Sequence, residues 1–277
     1  MPESTSPLSA PRVALIGFGE AGETFVRSEG WRGETRAWDL VAERRAIMAG
    51  LGVETGDDPA AAIGDSAFLL SLVTADQALD AACSYAQLLP EGALWCDLNS
   101  VSPDTKRQAA TVIEAVGGRY VDVAVMAPVE KGLAVPLLVS GPHALAAEPL
   151  LEALGFKNVR VVGEEVGRAS AIKMIRSVMV KGIEALCDEC AAAAQAAGVF
   201  DEVVASLDAS DKRIGWAERF AYNQERMATH GLRRAEEMKE VAATLRNLGV
   251  EPTMSDGTVK RQHAAGMQGK NRRENAA

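Results

Sequence analysis

Two groups of residues in this 277-residue chain have types and spacings suited to chemistry. The first is Gly17-x-Gly19-x-x-Gly22 within "VALIGFGEAGETF". A glycine turn that follows an apolar run and opens a helix is built to hold a dinucleotide. Gly17 permits the tight turn, Gly19 lets the backbone approach a pyrophosphate, and Gly22 allows close packing of helix on strand. Phe18, Glu20 and Ala21 complete the turn, and the helix they open presents free N–H groups and a positive dipole end to phosphates. The second group is Lys173, Arg176 and Ser177 within "ASAIKMIRSVMVKG". Their i, i+3, i+4 spacing puts them on one helix face. Ile172, Met174, Ile175, Val178, Met179, Val180 and Ile183 cover nearly every side of the same helix, which predicts a buried helix. A buried amine beside a guanidinium is pushed toward exchanging its proton near neutral pH, which suits Lys173 to general acid/base work. Arg176 can instead grip a carboxylate with its fork of donors. The alternative is that both side chains run along apolar neighbours to the surface.

Further residues agree with the glycine turn. Asp39 ends "ETRAWD", about 20 residues beyond Gly19, where an acidic residue binds ribose hydroxyls. Its carboxylate opposes a 2′-phosphate, so NAD is favoured over NADP, with Arg44 and Arg45 softening that preference. Asp39 equally suits a helix N-cap. Thr74 follows "AFLLSLV" at a strand's carboxyl end, where open sheets bind cofactors; a turn role suits it as well. Asp97 and Asp122 read as buried structural carboxylates. His143, His230 and His263 fall in no site pattern. Of the four cysteines, Cys187 and Cys190 have C-x-x-C spacing. They lie in a run of helix formers without a second metal-type cluster, so reduced thiols are expected.

These groups need elements to place them. From residue 12, the apolar runs "RVALIGFG", "ETRAWD", "AFLLSLV", "ALWCDL", "RYVDVAV" and "PLLVSG" alternate with helical stretches. Continuously apolar strands between helices imply a doubly wound parallel sheet, α/β in class. The alternation stops near residue 163, after "VRVVG". Residues 167–198 read as one helix about 45 Å long, ended by Gly198, followed by helices over 200–210, 212–229 and 231–248. The expected domains are therefore a dinucleotide-binding unit over 11–164 and an all-helical unit over 165–256. The Pro- and Ser-bearing segment 1–10 and the polar tail 257–277 are expected to be disordered.

Composition bounds the rest. A net charge of −9 with 24% charged residues argues against a nucleic-acid partner. No run approaches 18 apolar residues, so no membrane partner is expected. The first residues lack the features of a secretory signal. A cytoplasmic enzyme with a small-molecule substrate is the expectation.

The order of these motifs carries a resemblance. A glycine fingerprint, then "DLNSVSP", "DVAVMAP" and "GRASAIKMIRS" opening a helical region, resembles the β-hydroxyacid dehydrogenases. That group includes the 6-phosphogluconate and 3-hydroxyisobutyrate dehydrogenases. The resemblance spans about residues 12–255 and looks closest to the 6-phosphogluconate dehydrogenase-like oxidoreductases. It implies an NAD(P)-dependent oxidoreductase acting on a β-hydroxyacid-like alcohol or carbonyl, with Lys173 as general acid/base. It also implies that Asn99 and Ser100 meet a carboxylate-bearing substrate, and that the chain dimerises. The family pattern has Asn, or His then Asn, where this chain has Arg176 and Ser177. It has Ser-Gly-Gly where this chain has Met126-Ala127-Pro128, leaving room for a larger or more apolar substrate. Imine reduction on a related fold, or dinucleotide binding without catalysis, are the rival readings.

Overall fold

The computed structural model describes residues 11–31, 33–210 and 214–275. Seven strands and ten α-helices lie along them. They are β1 (Arg12–Ile16), α1 (Glu20–Arg27), β2 (Glu34–Trp38), α2 (Ala42–Gly50), α3 (Pro59–Ile63), β3 (Phe68–Ser71) and α4 (Ala78–Tyr85). Then come β4 (Leu94–Asp97), α5 (Pro103–Glu114), β5 (Arg119–Val125), β6 (Pro136–Ser140), α6 (Ala144–Ala153) and β7 (Asn158–Gly163). The last four helices are α7 (Arg168–Ala197), α8 (Phe200–Ser210), α9 (Trp216–Asn247) and α10 (Thr253–Glu274).

The strands form one sheet in the order β2-β1-β3-β4-β5-β6-β7. Along β1, Val13 and Leu15 enter one hydrophobic cluster and Ala14 and Ile16 the other. Both faces of the sheet are thus covered, which is why the strand sequences read as continuous apolar runs. The strand order reverses between β1 and β3, the kind of switch point outside which open α/β sheets bind ligands. One pairing departs from the expected parallel sheet: β6 runs antiparallel to β5. The connection between them holds only a short 3₁₀ stretch, Val129–Ala134, and no crossover helix, so the returning strand is antiparallel.

The chain divides into two compact units within α7, between Ser177 and Val178. The first ten residues of that helix, including Lys173, therefore belong with the sheet. Two further expectations change. The helices expected over 212–229 and 231–248 are one element, α9. The tail expected to be disordered continues as α10 to Glu274; segment 1–10 lies outside the described residues. The same residues explain both changes. A side chain at Gly231 would strike Gln262 O and one at Gly269 would strike Ala228 O, so α9 and α10 approach backbone to backbone. Glu189 of α7 caps α10, accepting the N–H groups of Met254 at 2.6 Å and Ser255 at 2.9 Å.

The expectation of a buried α7 is also corrected. Ile175 and Val178 are each 71% exposed, and Ile183 and Leu186 are exposed as well. Apolar residues all round a helix show that it needs cover, but not that the same chain provides it. Among the described residues, no helix is long and apolar enough to cross a membrane.

Candidate active site

The glycine turn lies where β1 ends. Gly17 has φ +88°, and a Cβ there would sit 2.8 Å from Leu72 C and O, so only glycine fits the turn. At Gly19 a Cβ would meet nothing within 4 Å among the described residues, as a cradle for phosphates requires. Gly22 is buried in α1, while Ala21 is partly exposed and Glu20 exposed. The Phe18 ring is 0% exposed and belongs to the core; its main chain anchors the turn. The Phe18 N–H donates to Asp39 Oδ2 at 2.7 Å, and its carbonyl accepts from Arg44 Nε at 2.6 Å.

A cavity of about 370 Å³ opens beside this turn, lined by Gly17, Gly19, Asp39, Arg44, Thr74 and Tyr85 among others. The other Asp39 oxygen accepts the Val41 N–H at 2.8 Å, so Asp39 also organises the turn into α2. Arg44 donates to Glu23 at 2.9 Å. Arg45 donates to the Asp39 carbonyl at 2.7 Å and lies over the Trp38 ring. Thr74 precedes a 3₁₀ turn, and its hydroxyl holds the Asp76 carboxyl below its usual range. A glycine turn open at Gly19, a helix N-terminus and a carboxylate at the cavity wall together suit a nicotinamide dinucleotide.

A second cavity, also about 370 Å³, shares Leu72 and Val73 with the first and reaches Ala21, Asn99, Ser100 and Lys173. Here Lys173 Nζ donates to Ser100 Oγ at 2.6 Å. The amine is partly exposed and Ser100 is exposed, so burial of Lys173 within one chain is not what the fold provides. Asn99 is 5% exposed. It donates to Ser71 Oγ at 2.9 Å, and its buried Oδ1 has no partner among the described residues. The remaining wall is apolar, with Leu98, Val125, Ala127, Pro128 and Val129.

Three expected site residues stand apart from this cavity's lining. Arg176 is exposed. The Ser177 hydroxyl donates to the Lys173 carbonyl one turn back, at 2.9 Å. Met126 packs partly buried against Ala124, Leu138 and Ala169.

The sequence reading passed over Lys106. Its side chain is 0% exposed, beneath Asp97 and Asp122, which are buried as expected. A signal was present: Lys106, Ala109, Ala110 and Ile113 are the buried residues of α5, spaced i, i+3, i+4, i+7, so the lysine occupies a core position of an amphipathic helix. Burial, with the Asp97 charge next in weight, pushes the Tyr120 phenol well above its ordinary value and keeps it a donor. Burial likewise raises the Cys96 thiol.

Residues 12–163 match the family described as the NAD binding domain of 6-phosphogluconate dehydrogenase. Residues 194–265 match a domain of unknown function, DUF1932. Among solved structures, a conserved hypothetical protein from Sinorhizobium meliloti is 38% identical, covering 94% of this chain and 90% of that one, with a TM-score of 0.62. The conserved protein MTH1747, described as structurally similar to 3-hydroxyacid dehydrogenases, is 31% identical over 93% of this chain and 99% of its own, with a TM-score of 0.61. An imine reductase from Streptomyces aurantiacus shares 19% identity over 93% and 95%, with a TM-score of 0.75; at that identity it is the fold that is shared.

Proposed function

Since the chain belongs to the family of the NAD binding domain of 6-phosphogluconate dehydrogenase, an NAD(P)-binding family with the hydroxyacid dehydrogenase fold, we propose that it interconverts an alcohol and a carbonyl, with Lys173 as general acid/base. The observation that carries this reading is the 2.6 Å contact of Lys173 Nζ with Ser100 Oγ, in a cavity that shares its wall with the glycine turn's own cavity.

A nicotinamide dinucleotide bound along that groove supplies or accepts the hydride. Gly17, Gly19 and the start of α1 would hold its phosphates and Asp39 its ribose hydroxyls. In the oxidising direction the Lys173 amine takes the proton from the substrate hydroxyl; in the reducing direction the ammonium returns it to the oxygen. Ser100 accepts from Lys173, so its own hydroxyl hydrogen is available to the same substrate oxygen. The unpartnered Asn99 Oδ1 can accept one further hydrogen bond from whatever enters. Among the described residues, Lys173 is the one cation lining this cavity; Arg176 is not part of it. The reading therefore favours a substrate with an apolar body over a small polyanionic one, and a carboxylate on it would have to be met by other donors. NAD is preferred, because the Asp39 carboxylate lines the cofactor cavity while Arg44 and Arg45 are engaged by the Phe18, Asp39 and Leu40 carbonyls. A second copy of the chain covers the apolar stripe of Ile175, Val178, Ile183 and Leu186, making a homodimer.

Imine reduction is the second reading. The apolar wall favours it, as does an imine reductase among the structural neighbours; Lys173 would then serve the substrate nitrogen. One substrate panel decides between the two. β-Hydroxyacids, longer-chain alcohols and cyclic imines are offered with NAD and NADP in the matching redox states. Turnover of alcohols supports the first reading and turnover of cyclic imines alone the second. Cofactor binding without turnover of any class would contradict both.

A further inference from the structure

Beneath Ser100 and Lys173 lies a cation that the proposed reaction does not touch. Lys106 Nζ donates to the Asp97 carbonyl at 2.5 Å and to Asp97 Oδ1 at 2.8 Å. It also lies 3.6 Å from Asp122 Oδ1. Asp97 and Asp122 are register partners on the parallel strands β4 and β5, and neither is more than 1% exposed. Charges so far from water persist only when paired and hydrogen-bonded, and both carboxylates accept further hydrogen bonds.

Each carboxylate holds one half of the candidate site. Asp97 accepts the Asn99 N–H at 2.9 Å and the Tyr120 hydroxyl at 2.6 Å, fixing the turn that carries Ser100. Asp122 accepts the N–H groups of Gly167 at 3.1 Å and Ser170 at 3.0 Å, and the Ser170 hydroxyl at 2.6 Å. It is therefore the cap of α7, and Lys173 stands three residues beyond Ser170 on that helix. The Lys173–Ser100 contact joins the two halves at the top; Lys106 joins them at the bottom.

We propose that Lys106 is a positioning residue for the Lys173–Ser100 pair: its one charge ties the carboxylate that holds the Ser100 turn to the carboxylate that caps α7. This rests on the role given to Lys173 above. Without the cation, two neighbouring carboxylates face each other in a medium of low dielectric, and their repulsion separates the two segments they hold. A shift of the order of 1 Å between groups that meet one reacting atom is costly to turnover.

The test uses the full chain with Lys106→Met, which keeps the apolar stem, and K106M/D97N. The double variant removes one facing negative charge while the amide oxygen that replaces the Asp97 carboxylate still accepts the Asn99 N–H. Amide hydrogen exchange is followed in each, together with NADH affinity and, on the substrate that the panel identifies, kcat and KM. In K106M the Asn99, Gly167 and Ser170 amides are expected to be accelerated about tenfold or more beyond the acceleration of the β1 and β3 amides, which report the global loss of stability. NADH affinity stays within about twofold, while kcat falls about tenfold to a hundredfold. The double variant recovers part of both losses. Uniform acceleration across the sheet, or unchanged exchange at Asn99 and Ser170, overturns the proposal. If K106M does not fold, the double variant must fold and show wild-type-like exchange at those amides; failure of both to fold makes Lys106 a stability residue and overturns the positioning role. Exchange needs no substrate. Selective exchange in a protein that turns nothing over would uphold the tie between the segments and remove the Lys173 reading. Lys173-dependent turnover with unchanged exchange would do the reverse.

Discussion

The floor and the rim of the candidate site each carry a lysine, and the two are treated differently by the fold. On the floor, Lys106 is 0% exposed and paired with Asp97 and Asp122. On the rim, Lys173 is partly exposed and holds an exposed serine hydroxyl beside an open cavity. A side chain so enclosed meets no ligand and can only hold its neighbours in place. A rim ammonium with access to a cavity can reach a ligand. The difference teaches that burial alone is a poor guide to which lysine does chemistry. On the proposed reading access matters first, and the buried charge would position the exposed one.

Changes at the turn and at the two lysines separate these roles. The largest expected effect on cofactor is from Gly17→Val: the added atoms strike Leu72 and the φ of +88° resists a side chain. NADH affinity, read by fluorescence titration, should fall about a hundredfold, the loss of several phosphate-directed hydrogen bonds. Next comes stability in the lysine pair. Lys106→Met leaves two buried carboxylates without their cation and should cost about 3–5 kcal/mol in urea unfolding. Lys173→Met should cost less than about 1 kcal/mol, as for an exposed pair. Equal losses would erase the floor–rim distinction.

How much of this was legible from the sequence depends on what each feature needs. The glycine turn, Asp39 and six of the seven strands were legible because local sterics and apolar runs specify them; β7 was not among them, an edge strand that is only partly buried. The antiparallel β6 was not, since an apolar run has no direction. The last helix was hidden because "KRQHAAGMQGKNRRE" has no apolar stripe; its packing depends on glycines at 231 and 269 that let backbones touch. The exposure of Ile175 and Val178 was hidden because a pattern shows what needs covering but not what covers it. Lys106 was readable, as a lysine in the core stripe of α5, but a charged residue at such a position is easily assigned to the surface.

Smaller effects sharpen the floor further. Tyr120→Phe removes the donor to Asp97 and should cost about 1–2 kcal/mol at neutral pH. Because burial raises the Tyr120 phenol in the folded state, the unfolded chain loses that proton first, near pH 10. The stabilisation is fully present below about pH 10 and is lost as pH rises through the higher folded value. Wild type should therefore weaken in alkali more steeply than Tyr120→Phe, as thermal melts between neutral and alkaline pH would measure. The smallest effect is one of reactivity. Cys83, Cys187 and Cys190 are exposed and Cys96 is buried with its thiol raised, so a thiol reagent should titrate the first three quickly and Cys96 only on unfolding.

The central claim is that Lys173 moves the proton while other groups hold the cofactor. It is tested most directly by comparing Lys173→Ala with wild type in two measurements on the same preparation, NADH affinity and kcat. The account predicts NADH affinity within about twofold and kcat lower by about a hundredfold to ten-thousandfold, the usual contribution of a positioned acid or base. A variant that binds NADH normally and keeps full turnover would contradict it.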